Sequence, residues 1–138
     1  MKNLQVHPNV ESIAGPFKGI LLDAFGVFWA GGAMGPYPEI ASIMSSLVKL
    51  GKIVGILSNT TRRVQMEVDK LQKHGLYLGE HFHFFMSSGE ITYEAFSQNN
   101  LPFTSRKKKF WVLGKGHSLC PHKAIFADTE YEETDSLD

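Results

Sequence analysis

Two uninterrupted apolar runs, each closed by a small polar residue, set the pattern of this chain: Gly19-Ile20-Leu21-Leu22 before Asp23, and Ile53-Val54-Gly55-Ile56-Leu57 before Ser58. A run without polar alternation reads as a strand buried on both faces, the kind found in parallel sheets covered by helices. Between the two, Ile40, Ile43, Met44 and Leu47 recur at helical spacing and Gly51 supplies a stop, so an amphipathic helix joins the strands. The glycine- and proline-rich stretch from Ala30 to Pro38 reads as the loop before it. Strand, loop, helix and strand form a βαβ unit with parallel strands and a right-handed crossover. Asp23 and Ser58 then stand at the carboxyl ends of two such strands, where open α/β sheets place their ligands.

The rhythm repeats. Val64, Val68 and Leu71 predict a helix over about 62–73, capped by Thr60 or Thr61 and ended by His74-Gly75. Phe82 to Met86 is a third strand candidate, and Ser87 with Glu90 has the spacing of a capping box for a helix over about 88–98. Phe110 to Leu113 and Ala124 to Ala127 are the fourth and fifth. The expected class is α/β: a Rossmann-like open parallel sheet of about five strands with helices on both faces. Residues 1–16 read as an N-terminal extension, 17–127 as the core and 128–138 as an acidic tail.

Composition changes this picture little. At 138 residues, 43% hydrophobic and 20% charged, the chain suits a folded domain and neither a disordered nor a fibrous one. Formal net charge is zero, yet six acidic groups fall in the last eleven residues, leaving a body of about +6. That surplus would attract phosphorylated ligands or simply aid solubility. A lone cysteine, Cys120, excludes an internal disulfide framework and fits a reducing, cytoplasmic setting. No run has the length of a membrane span or a signal peptide core.

Asp23 can act as a nucleophile toward phosphorus, because a carboxylate forms an acyl phosphate that water later hydrolyses. It can equally cap the turn that follows its strand. Ser58, with Asn59 and the amides of Thr60 and Thr61 at a helix start, offers an oxyanion cradle, or plain helix capping. Three weaker signals carry competing readings. Gly114-Lys115-Gly116 lacks the gap of a phosphate loop. His81 and His83 supply two ligands where zinc takes three or four, and read better as partly exposed histidines at the start of a strand. Arg106 to Lys109 beside Phe110 and Trp111 reads as a solvated loop before a buried strand, in preference to a nucleic-acid surface.

Asp23-Ala24-Phe25-Gly26-Val27, a glycine-rich loop, a helix, and Ile56-Leu57-Ser58-Asn59-Thr60-Thr61-Arg62 together resemble motifs one and two of the haloacid dehalogenase superfamily. The likeness is to its class IIA branch of sugar- and nucleotide-phosphatase-like hydrolases, and it spans about 17–127. It implies a phosphohydrolase acting on a small phosphorylated metabolite with Mg2+. Asp23 would be the phosphoryl acceptor and a metal ligand, the main-chain carbonyl of Phe25 a second metal contact, and Ser58, Asn59 and Thr60 the phosphate binders. Three departures stand out. Phe25 occupies the position of the family's general acid and base, and the family's later lysine, acidic metal motif and cap have no counterpart, so the chain resembles the front half of such a hydrolase. Lys115 and Asp128 fall before the cap position and do not replace them.

Two functions follow from this: a weak or inactive HAD-like phosphohydrolase core, or a non-catalytic HAD-fold binding or interaction protein. In the resembled fold later strands cover one edge of the nucleophile strand. Without them that edge is expected to pair with a second copy in a homodimer, or to be covered by residues 1–16.

Overall fold

The computed structural model describes residues 9–31, 34–103, 107–113 and 122–135, without the side chains of Glu11 and His122. Its elements run α1 (Val10–Ala14), β1 (Gly19–Leu22), α2 (Ile40–Lys49), β2 (Ile53–Ser58), α3 (Val64–Lys73), β3 (Phe84–Ser87), α4 (Ser88–Ser97), β4 (Lys109–Phe110), α5 (His122–Phe126) and β5 (Glu132–Glu133). Residues 1–8 of the extension, Arg106, the Gly114-Lys115-Gly116 segment, Cys120 and residues 136–138 lie outside the described residues. The chain divides into two compact units, Met1–Ser58 with Val68–Phe85, and Asn59–Glu67 with Met86–Asp138.

In the first unit the expected βαβ motif is present. β1 and β2 pair in parallel with Gly19 opposite Ile53 and Leu22 opposite Ile56. The strand order is β1-β2-β3, so among the described residues β1 is an edge strand. Helix α2 packs against β2, and its Met44 and Leu47 are fully buried, as are Val54 and Ile56 on the strand. Each such side chain contributes about 1.5–3 kcal/mol by leaving water. Val68 and Leu71 of α3, with Leu76 and Phe82, join the same core.

The expectation that these strands are buried on both faces is not met. By the register, Leu21, Ile53 and Leu57 share one face, and they are 63%, 54% and 45% exposed. Only Gly55 on that face is covered, by the Phe84 ring, which lies where a Cβ would stand. A continuous apolar run is silent about this difference, because it specifies that both faces tolerate burial and not that both are buried. The edge is pinned at its start by Lys52, whose Nζ donates to the carbonyls of Gly15 and Phe17 at 2.8 Å each.

In the second unit the run Ala124 to Ala127, expected as a strand, is helical in α5 up to Phe126, and Ala127 follows in a turn. Four apolar residues cannot separate the two states; the aromatic partners decide. Phe126 stacks on Phe110 at 3.7 Å between centroids and meets Phe96 edge-on at 4.8 Å, with Tyr131 on the other side of Phe96. The fifth strand lies instead within the acidic segment, where Glu132 pairs with Lys109 and Glu133 with Phe110 in parallel. Lys108 reaches Glu130 at 3.5 Å and Asn99 at 2.8 Å, so the basic stretch is matched to the acidic one. β4 covers two residues only, and Trp111, expected in a buried strand, is 40% exposed.

Candidate active site

Asp23 follows β1 directly and Ser58 is the last residue of β2, so the parallel register brings both to the same end of adjacent strands. Neighbouring strands stand about 4.8 Å apart. One step past the last pair, Leu22 and Ile56, the register sets Asp23 level with Leu57, and Ser58 follows one residue further on. Asp23 is exposed, and its Oδ1 accepts the amide of Ala24 at 2.8 Å. The turn-capping role is therefore present, and it occupies one carboxylate oxygen. Ser58 is nearly buried.

Beyond Asp23 the chain makes one tight turn. The Ala24 carbonyl accepts amides from Phe28 at 3.2 Å and Trp29 at 2.9 Å, while Gly26 donates to the Trp29 carbonyl at 2.9 Å. Gly26 has φ 77°, a region that favours glycine. This places Phe25 in an isolated parallel bridge with Trp29 that uses the Ala24 carbonyl and the Gly26 amide. The carbonyl of Phe25 itself takes no part in that bridge. The Phe25 ring is 69% exposed and lies against Gly31. Phe28 and Trp29 anchor the loop by burial, and Trp29 is held between the His74 ring edge at 5.0 Å and the Lys70 ammonium at 4.0 Å. Its buried Nε1 has no hydrogen-bond partner among the described residues.

In the second unit, the loop carrying Asn59 and Thr60 is held by the first turn of α4. Ser88 Oγ lies 2.9 Å from the Asn59 carbonyl and 2.8 Å from that of Thr60, and the Gly89 amide donates to Thr60 at 3.1 Å. Ser87 Oγ donates to the Arg62 carbonyl at 2.7 Å and accepts the Glu90 amide at 3.0 Å. The cap expected of Ser87 is thus formed, but Glu90 does not complete a capping box. Its carboxylate takes Arg63 in two bonds, Nε at 2.8 Å and Nη2 at 2.9 Å, and accepts the Val64 amide at 2.8 Å. Helix α3 accordingly starts at Val64, later than its apolar spacing placed it, with a carboxylate from α4 at its N-terminus. Arg63 also stacks over Tyr93 at 3.4 Å and reaches the Ala124 carbonyl at 3.3 Å. The hydrogen bond from Arg63, then the Val64 amide, hold the Glu90 carboxyl below its ordinary value against desolvation; Glu90 in turn raises Arg63.

Sequence reasoning missed Ser88, Gly89 and Arg63. The available signal was Gly89, a residue that costs about 1 kcal/mol inside a helix and so marks a close approach when found there. Here the Thr61 carbonyl stands where its Cβ would be. The two histidines are structural: His81 Nδ1 accepts the Tyr77 amide at 3.0 Å and His83 Nδ1 accepts Val54 at 3.1 Å. His81 is 6% exposed, more buried than expected. No group of three or more His, Cys, Asp or Glu side chains able to hold a metal occurs among the described residues. No described helix is long and apolar enough to cross a membrane.

A parallel sheet with a carboxylate and a hydroxyl at the same end of neighbouring strands defines an α/β protein of Rossmann-like type. The family model for haloacid dehalogenase-like hydrolases matches residues 20–124, and the chain belongs to that family. A crystal structure of a haloacid dehalogenase-like family hydrolase from Brucella suis 1330 superposes with a TM-score of 0.73 at 14% identity, covering 96% of this chain. The chain spans 44% of that protein's length. No curated protein matches it.

Proposed function

We propose that the chain is a phosphohydrolase core acting on a small phosphorylated metabolite, with Asp23 as nucleophile. The observation that supports this reading is the parallel β1–β2 register, by which Asp23 and Ser58 both fall at the carboxyl end of their strands. In the first step a carboxylate oxygen of Asp23 attacks phosphorus, the ester P–O bond breaks, and the departing oxygen keeps the electron pair and takes a proton from water. In the second, water hydrolyses the aspartyl phosphate, releasing inorganic phosphate and restoring the carboxylate. Ser58 is assigned to hold the non-transferring oxygens by hydrogen bonds, and Asn59 and Thr60 are named as phosphate binders by the family resemblance alone.

The donor set fits Mg2+, since a hard cation takes oxygen ligands and keeps several waters, and Asp23 and the Phe25 carbonyl both offer oxygen. Held there, the ion would neutralise phosphate charge. The exposed Phe25 ring favours a second reading, a non-catalytic HAD-fold binding protein, because that position carries no proton donor. The setting we assign is cytoplasmic, with no nucleic acid or membrane partner.

Beryllium fluoride with magnesium, a mimic of the phosphoryl group on a carboxylate, tests the site. Wild type is expected to gain thermal stability, and Asp23→Asn and Ser58→Ala to lose most of that gain. Equal shifts in all three would remove the site. Turnover of an aryl phosphate, abolished in Asp23→Asn, then separates the enzyme from the binding protein.

A homodimer through the β1 edge is also proposed, because among the described residues no strand pairs with β1 on its outer side and Gly19 to Leu22 carry no charge or proline. Light scattering over a concentration series is expected to show reversible association, weakened by Leu21→Lys. A monomer at every concentration would refute it.

A further inference from the structure

The parallel register fixes what shares a sheet face with Asp23. Side chains alternate along a strand, so Asp23 falls on the face of Leu21, and one step past the last pair Leu57 stands level with Asp23 on that same face. Leu21, Asp23 and Leu57 are all exposed. Leu21 stands opposite Gly55, the one position of β2 on this face without a side chain. The far end of the Phe84 ring fills the space a Cβ would take there, and 38% of that residue remains open to solvent. A glycine inside a strand marks such a close approach. The Asp23 carboxylate therefore stands at the end of an apolar floor made by Leu57, the Phe84 ring and Leu21, and all four residues belong to the first unit.

Resting on the phosphohydrolase reading above, we infer that this floor receives the alcohol part of the phosphate ester, and that the alcohol is aromatic. Gly55 lies two residues before Leu57, so the Phe84 ring begins about 7 Å along the strand from the level of Asp23, the reach of one aromatic ring joined to phosphorus through an ester oxygen. The hydroxyls of a sugar or glycerol ester laid on Leu21, Leu57 and Phe84 would give up water without gaining a hydrogen bond, which costs free energy. An aromatic ring hides apolar surface there and meets a second ring in Phe84. Phe84 also shields the backbone at Gly55, a role that needs no ligand, and the two roles separate by experiment.

The test uses the full chain with magnesium and compares by calorimetry two phosphonates that cannot be hydrolysed, benzylphosphonate and methylphosphonate. Both present the same anionic head, so the ratio of their affinities reads the floor alone. Wild type is expected to bind benzylphosphonate about 10- to 100-fold more tightly, the scale for burying part of an aromatic ring. Leu57→Asn, at an exposed position, is expected to cut that ratio by about 3- to 10-fold, and Phe84→Leu, which keeps Gly55 covered but removes the ring, to do the same. Leu50→Asn, exposed at the end of α2, is expected to keep the ratio and so controls for a polar substitution elsewhere. Should Phe84→Leu fail to fold, Leu57→Asn decides. Equal affinity for the two phosphonates, no measurable binding of benzylphosphonate, or an unchanged ratio in Leu57→Asn overturns the aromatic floor; the proposed function then stands if beryllium fluoride still stabilises wild type and not Asp23→Asn. The same beryllium fluoride shift in both proteins overturns the functional reading and this inference with it.

Discussion

Phe25→Asp is expected to raise the turnover of an aryl phosphate by about 10² to 10⁴ over the starting chain, the usual contribution of a positioned general acid. In the proposed reaction the leaving oxygen departs with a negative charge, and Phe25 has no proton to give it. A carboxylic acid two residues on would deliver that proton from the protein. The backbone is already suited to the change. Residue 25 sits in a bridge made by its neighbours' peptide groups, so its side chain can be exchanged without breaking a hydrogen bond of the turn. The ring is 69% exposed, and what it loses is its contact over Gly31. The metal contact assigned to residue 25 uses the carbonyl and survives the substitution. Turnover has to be measured with magnesium present and with Asp23→Asn in the Phe25→Asp background as the zero. No gain over wild type would mean that the missing acid is not what limits this chain.

Much of the first unit could be read in the sequence because its signals are local. Met44 and Leu47 fall on one helical stripe, and Ile53 to Leu57 is too apolar for a loop, so α2, β2 and the placement of Ser58 follow from period alone. Burial could not be read, since Leu21 and Val54 look alike in a run and only the register separates an exposed side chain from a buried one. The second unit was harder because its decisive contacts join distant residues. Phe126 becomes helical beside Phe110 and Phe96, sixteen and thirty residues away, and no window around Ala124 contains that information. The charge pattern did contain part of it: a basic stretch at 107–109 and an acidic one at 130–133 are complementary, and they pair. The candidate site shows the same division. Asp23 and Ser58 announce themselves at strand ends, whereas Glu90 looked like a local cap and turned out to serve a helix 26 residues earlier.

That carboxylate leads to the largest stability effect expected. Glu90 accepts two bonds from Arg63 and one from the Val64 amide, and side chains of the pair are only 21% and 26% exposed. Hydrogen bonds to charged groups contribute about 1.5–3 kcal/mol where they are shielded. Allowing for partial solvent screening, Glu90→Gln should cost about 2 kcal/mol, which moves a urea midpoint down by roughly 1 M. The pH dependence identifies the cause. The folded Glu90 carboxyl is held below its ordinary value of 4.5, chiefly by Arg63. A depressed acid contributes its full stabilisation above the unfolded value and loses it as pH falls through the folded one. Arg63 is raised further by its hydrogen bond to Glu90 and stays charged across this range. The gap between wild type and Glu90→Gln should therefore be constant from about pH 5 to 7 and close progressively below about 4.5. Urea midpoints for both proteins at intervals between pH 3 and 7 measure it. A gap that stays open at pH 3 would assign the effect to packing of the longer side chain network rather than to the ion pair.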